Sequence, residues 1–462
     1  MGNQNKCLSL PRVLLGATGS GSGKTTITCG LLKLLQRAGK APVSFKCGPD
    51  YIDPMFHKEV LGIESRNLDL FFNGENTVKM LMGRHVQKEG QDMAVVEGVM
   101  GYYDGLGGNS VTAGSFDLAR ATETPAILIV DGRGKAYSLV AEIKGFLELE
   151  KDSMIRGVII NRTSQGMYSL FKKMIEESLS VKVLGYLPVL KEGVLESRHL
   201  GLVTAAEVGD LEKTLEDLAS VMEKTMDLEG ILALAGSAPD VIWKEEGLPG
   251  AGEFSGVRIA VARDKAFCFH YQDNLDILRE MGAEIVEFSP LTDNRLPEGV
   301  SGLLLGGGYP ELYLKQLFAN EGMKASIRGA LEGGLPCLAE CGGFMYLHDW
   351  IKDEEGVEHS GVGLLAGGCE PTGKSVRFGY IHLTAKVDNL LGKPGQRIRG
   401  HEFHYWESHD PGDAFHAEKP TGSRGWEAMV QKENILAGFP HLNYRSNPQM
   451  IANFLHRCKT LR

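Results

Sequence analysis

The sequence predicts an α/β protein of two domains, the first a doubly wound parallel sheet around a phosphate-binding loop. Three observations carry this reading. Short apolar runs alternate with helix-like segments, and the alternation starts afresh at residue 257. A glycine-rich loop joins the first apolar run to a helix-like segment. Between the two alternations, over residues 232–255, Gly, Ala, Pro and Glu occur with little periodicity, as in a connection. A chain of 462 residues is too long for one compact core and fits two. The domains expected are residues 1–235 and 256–462, with a linker at 236–255.

In chain order, strands are expected at 13–15, 43–45, 93–96, 126–130, 157–160 and 181–184, with a helix over 26–37. These runs are continuously apolar, as parallel strands covered on both faces must be. After the linker, strands are expected at 257–262, 285–288, 303–305 and 336–339, and a helix at 274–281.

Composition bounds the function. Net charge is −10 with no basic tail or stripe, which argues against nucleic acid as a partner. No apolar run reaches the roughly 18 residues of a membrane span, and residues 1–12 lack the apolar core of a signal peptide. Eight scattered Cys without a C-x-x-C pair read as small buried side chains in a reducing compartment, so a cytoplasmic location is expected. The 59 Gly suggest many backbone-lined loops of the kind that handle ligands.

The loop GATGSGSGKTT at 16–26 sits between strand and helix. Its glycines, Gly19, Gly21 and Gly23, let successive N–H groups point at phosphate oxygens at the positive end of a helix. Lys24 would reach the outer phosphates, the Thr25 hydroxyl would ligate Mg²⁺, and Thr26 continues the turn. The strict motif wants Gly where Thr18 stands, so the loop is a variant. Partition-type ATPases carry a Lys where this chain has Gly19. Carboxylates follow two strands: Asp50 and Asp53 in KCGPDYIDP (46–54), and Glu97 and Asp104 in VVEGVMGYYDG (95–105). Both loops fall at carboxyl ends of expected parallel strands, where ligands of open sheets bind. Thr25, Asp50 and Glu97 are the expected metal ligands, because Mg²⁺ prefers oxygen donors.

The second domain carries LPCLAECGGF at 335–344, which reads as strand, sharp turn and helix with Cys341 at the turn. That is the nucleophile-elbow pattern, in which small neighbours allow a strained backbone. The helix N-terminus is expected to lower the thiol pKa. GGGYPE at 306–311 follows another strand, and the N–H groups of Gly307 and Gly308, with that of Gly342, could form an oxyanion hole.

GSGKTT, KCGPDYIDP, VVEGVMGYYDG, ESRHLGL (196–202), AECGG and RGHEFHY (399–405) occur in the order found in the cobyrinic acid a,c-diamide synthase family, which the chain resembles over about residues 12–450. The resemblance implies a dethiobiotin-synthetase-like ATP domain followed by a class I glutamine amidotransferase-like domain. It implies a ligase that forms carbon–nitrogen bonds with glutamine as amide donor. ATP is its co-substrate, Mg²⁺ its cofactor and a tetrapyrrole polycarboxylate its acceptor. It supports Lys24 and Thr25 on ATP and Mg²⁺, and Asp50, Asp53, Glu97 and Asp104 around metal, phosphate and carboxylate. Asn161 resembles the adenine-reading Asn of such domains. His441, in GFPHLNY (438–444), matches the base for Cys341, but Asn443 stands where class I glutaminases place an orienting Glu. Cobyrinic acid, hydrogenobyrinic acid and nickel or iron sirohydrochlorin remain open as acceptors, and a homodimer is compatible with the sequence. A partition-type ATPase switch is the alternative from another class, opposed by Gly19 and by the intact turn at Cys341.

Overall fold

A computed structural model describes residues 5–190 and 205–460. The motif at 196–202 therefore lies outside the described residues. Contacts divide the chain into two compact units, Met1–Glu246 and Gly247–Arg462.

The first unit is built on a seven-stranded sheet. Its order is Ser65–Leu68, Pro42–Cys47, Met93–Glu97, Arg12–Ala17, Ala126–Asp131, Ile155–Asn161 and Lys182–Leu187. All neighbours pair in parallel. Winding reverses direction at Arg12–Ala17, so a crevice opens at the carboxyl ends of the central strands. The strand Arg12–Ala17 is buried at all six positions, because apolar clusters cover both sheet faces. Helix Lys24–Arg37 is held down by helix Ala205–Thr225, and a Cβ at Gly30 would meet the Met222 sulfur at 2.2 Å. The edge strand Ser65–Leu68 alternates partly exposed and buried residues, which hides it from a search for apolar runs.

The stretch expected to be linker is folded at both ends. Val241–Lys244 pairs antiparallel with Asn5–Leu8, and Trp243 is fully buried against Gly83. Phe254 packs into the core of the second unit. Alternation over only four residues, set among Pro, Glu and Gly, is too short to stand out as a strand.

The second unit contains a six-stranded sheet in the order Glu284–Phe288, Arg258–Ala262, Gly302–Leu305, Cys337–Glu340, Ile435–Gly438 and Val430–Lys432. The first five strands run parallel and the last is antiparallel. A five-stranded antiparallel sheet follows the order Gly425–Ala428, Phe415–Glu418, Arg377–Ala385, Arg397–His404 and His441–Asn443. A smaller sheet joins Glu358–Ser360, His348–Lys352, Leu365–Pro371 and Trp406–Ser408. Among the described residues, no helix is long and apolar enough to cross a membrane.

Candidate active sites

In the first unit the loop after Arg12–Ala17 turns on glycine. Gly21 and Gly23 have φ of 74° and 92°, a region that favours residues without Cβ. Gly23 also has no room, since a Cβ there would lie 2.2 Å from Asn161 Nδ2. Asn161 is buried; its Nδ2 donates to Ser22 O at 2.8 Å and its Oδ1 accepts from Arg162 N–H at 2.9 Å. The Nδ2 end braces the phosphate loop, and the Oδ1 end holds the backbone at the end of its own strand. Arg162 donates to Gly21 O at 2.7 Å and to Asp131 at 2.8 Å. With Arg133, it holds the Asp131 carboxyl down at about 2, against the opposing effect of burial.

Lys24 opens the helix and donates its ammonium to Met100 O. Met100 has φ of 46°, a left-handed backbone that costs a non-glycine residue about 1 kcal/mol or more. Thr25 Oγ1 donates to Glu97 Oε1 at 2.7 Å. Glu97 has no solvent exposure, and its Oε2 lacks a hydrogen-bond partner. Burial, then repulsion from Asp53, pushes its carboxyl up to about 7.

Lys46 gathers the acids. Its ammonium bonds Asp53, lies 3.1 Å from Glu97 Oε1 and stands 3.8 Å from Asp50. Burial alone would discharge Lys46, but Glu97, Asp53 and Asp50 outweigh it and raise its pKa. Asp50 is itself pushed up by burial and by Asp53, and its Oδ1 accepts from Ile52 N–H at 2.8 Å. His57 Nδ1 meets Ser44 Oγ at 2.6 Å, while its Nε2 lies 3.6 Å from Glu97 Oε2. Burial lowers His57 to about 4, so the ring is neutral. Asp104 is not drawn into this cluster: it is exposed and accepts from Gly101 N–H at 2.8 Å, shaping its own turn.

No group of three His, Cys, Asp or Glu side chains among the described residues would cage a metal alone. The donors present suit Mg²⁺ differently. A threonine hydroxyl and the buried Glu97 carboxyl meet at the phosphate loop through Oε1, and Mg²⁺ commonly completes its shell with phosphate and water. Lys46 and His57 complete this site without having been singled out in the sequence. The signal for Lys46 was a charged residue within a strand buried at all six positions.

In the second unit Cys341 joins strand Cys337–Glu340 to helix Gly342–Tyr346, with φ 48° and ψ −105°. Its N–H donates to Gly438 O at 2.8 Å, so the strained turn is pinned to the neighbouring strand. Gly343 must be glycine here, since a Cβ would approach Leu305 O to 2.3 Å. A Cβ on Gly307 would lie 2.4 Å from the His441 ring and 3.4 Å from Cys341 Cβ, so Gly307 lies against both residues. A Cβ on Gly342 would reach 3.4 Å from Gly308 N, which brings the two expected oxyanion donors to one place. Gly307, the third expected donor, lies against the His441 ring.

The thiol departs from the expected lowering. Burial, then the Glu311 carboxylate, raises Cys341, and the Gly342 N–H only partly opposes this. A helix of five residues offers little compensating field. Burial, with His401, His404 and His270 nearby, lowers His441 well below its usual range. Both shifts favour the neutral thiol and the neutral imidazole over the thiolate–imidazolium pair. Asn443 does not orient His441: its Oδ1 accepts from Ser446 N–H at 3.0 Å and caps the turn Tyr444–Ser446.

The space around Gly307 yields a first prediction. Gly307→Ala forces a methyl into the His441 ring and is expected to cut glutamine hydrolysis at least about 100-fold, by displacing reacting groups by about 1 Å. ATP-dependent use of ammonia should stay near the parent rate. Assays of both activities on the purified variant check this; normal glutamine hydrolysis would remove His441 from the role of base.

Residues 13–200 match the CobQ/CobB/MinD/ParA nucleotide binding domain, and residues 258–449 match the CobB/CobQ-like glutamine amidotransferase domain. A cobyrinate a,c-diamide synthase of Caldanaerobacter subterraneus is 40% identical, over 97% of this chain and 98% of the relative. Proteins of the same name from Listeria innocua and Salmonella typhimurium are 40% and 38% identical, over 95% and 96% of this chain and 98% and 97% of theirs.

Proposed function

The chain belongs to the cobyrinate a,c-diamide synthase family, and from that premise we propose that it converts the a and c acetate carboxylates of cobyrinic acid into amides, with ATP and glutamine, in cobalamin biosynthesis. One observation carries the reading: a single chain holds both a strained Cys341 turn against His441 and a phosphate loop backed by Thr25, Glu97 and Lys46.

In the first unit a substrate carboxylate oxygen attacks the γ-phosphorus of ATP, and the bond to the bridging oxygen of ADP breaks. Lys24 neutralises charge on the transferring group, and loop N–H groups hold the remaining phosphates. Thr25 and Glu97, with Asp50 beside them, would hold Mg²⁺, which supplies charge neutralisation between the phosphates. Lys46 keeps Asp50, Asp53 and Glu97 together without mutual expulsion. Ammonia then attacks the acyl phosphate, and phosphate leaves with its bonding electron pair.

In the second unit Cys341 attacks the glutamine carboxamide carbon while His441 takes the thiol proton. The N–H groups of Gly308 and Gly342 stabilise the oxyanion. His441 returns the proton to the departing ammonia, and water hydrolyses the thioester to glutamate.

Incubating the enzyme with ATP, glutamine and a panel of tetrapyrrole acids, then weighing the products, tests the proposal. A gain of two amide groups on cobyrinic acid is expected, and no mass change on any acid would refute it. The Mg²⁺ site is tested separately. Glu97→Gln should lower amidation by about 100-fold or more with either nitrogen donor, because it removes charge next to Thr25. Cys341 should still react with a thiol-directed glutamine analogue. Parent-rate amidation by this variant would make Glu97 a purely structural acid.

A further inference from the structure

Asn443 is turned away to cap the turn at Tyr444–Ser446, so the carboxylate that orients the histidine in Cys–His–Glu glutaminases has no counterpart at that position. The strand beside it supplies a different neighbour. In the antiparallel pairing of Arg397–His404 with His441–Asn443, His401 stands directly opposite His441. Their ring centroids are 6.0 Å apart and the planes 31° from parallel. His401 is only 9% exposed, and its Nδ1 is buried without a hydrogen-bond partner. A buried polar atom left unpaired costs about 1–3 kcal/mol, which calls for an explanation.

We propose that His401 is the positioning residue of the glutaminase, backing the His441 imidazole in place of a carboxylate. This rests on the Cys341–His441 reading above. When Cys341 attacks, the S–H bond breaks and the proton becomes an N–H on His441, which turns cationic. The other N–H of that imidazolium then donates to a ring nitrogen of His401, and no proton leaves the pair. His401 must be neutral to accept, and burial, reinforced by Lys419, lowers it to about 4. The charged and titratable groups around the pair are His270 and His404 beside His441, Lys419 beside His401, and the Glu311, Glu340 and Glu402 carboxyls on the Cys341 side.

The rest of the strand holds His401 in place. Glu402, inside the fold, accepts from His404 Nε2 at 2.9 Å and from Trp426 Nε1 at 3.1 Å. His404 stacks on Phe439 at 3.8 Å, two residues before His441. A neutral acceptor stabilises an imidazolium less than a carboxylate does. Basal glutamine hydrolysis is therefore slow and sensitive to how firmly this strand is held.

The test compares His401→Phe with His401→Gln, the second keeping an acceptor. His401→Phe is expected to lower kcat for glutamine hydrolysis at least about tenfold, as losses of orienting partners do, with KM for glutamine changed less than about threefold. Ammonia-supported amidation should be unaffected, and His401→Gln should recover most of kcat. The rate of Cys341 alkylation against pH should shift in the Phe variant and return in the Gln variant. Equal kcat in the Phe variant and parent would overturn the proposal, as would equal loss in both variants or loss of ammonia-supported amidation as well. Glutamine-supported activity surviving in Cys341→Ser would instead refute the underlying reading, which keeps the two failures distinct.

Discussion

Cys341→Ser is expected to lower glutamine-supported amidation by about 1000-fold or more while ammonia-supported amidation continues near the parent rate. A serine hydroxyl is a far weaker nucleophile than a thiol at neutral pH, and here its base is a buried imidazole depressed well below its usual range. The backbone at Cys341 already has a φ of 48°, and Ser is close to Cys in size, so the turn should survive. Measuring both activities with saturating ATP decides the matter. Equal loss with glutamine and ammonia in a folded protein would mean that Cys341 serves the whole molecule rather than ammonia release.

The second large effect belongs to Lys24→Ala, expected to reduce amidation about 100- to 1000-fold with either nitrogen donor. Phosphoryl transfer depends on position and charge, and Lys24 is the ammonium at the mouth of the loop formed by Gly21 and Gly23. Because its side chain is only partly buried, folding should be little affected. Glutamine hydrolysis and ADP release are the measurements. Normal ADP release at unchanged ATP affinity would remove the loop from the chemistry.

Legibility in the sequence followed the environment of each element. Parallel strands such as Ala126–Asp131 and Gly302–Leu305 are apolar because both faces are covered, and they stand out. Arg397–His404 mixes Arg, His and Glu with apolar residues, and it buries His401, Glu402 and His404 while exposing Phe403, so no apolar run or alternation marks it. Only its motif marks it, and the companion strands Arg377–Ala385 and Phe415–Glu418 give no comparable signal. For the sites, Lys24, Thr25 and Cys341 are visible because their loops demand glycine at fixed offsets. The contact between Thr25 and Glu97 spans 72 positions, and no local pattern announces it. The same holds for His401 opposite His441, a product of strand register. Asn161 is legible as a strand-end residue, yet its use in bracing Ser22 becomes visible only when the loop is folded.

The contact between Lys24 and the Met100 carbonyl has a thermodynamic consequence for what the first unit will accept. The ammonium is already engaged at rest, so a ligand does not add an interaction there but exchanges one acceptor for another. A neutral carbonyl competes poorly with an anionic phosphate oxygen, since hydrogen bonds between charged partners are roughly twice as strong. A ligand whose phosphates end short of Lys24 leaves the exchange unmade and gains nothing from it. Departure of Lys24 also frees the carbonyl that helps hold Met100 in its left-handed conformation, so the segment after Glu97 can relax. Selectivity for a long polyphosphate thus resides in the exchange at Lys24, which only a nucleotide whose phosphates reach the ammonium can make.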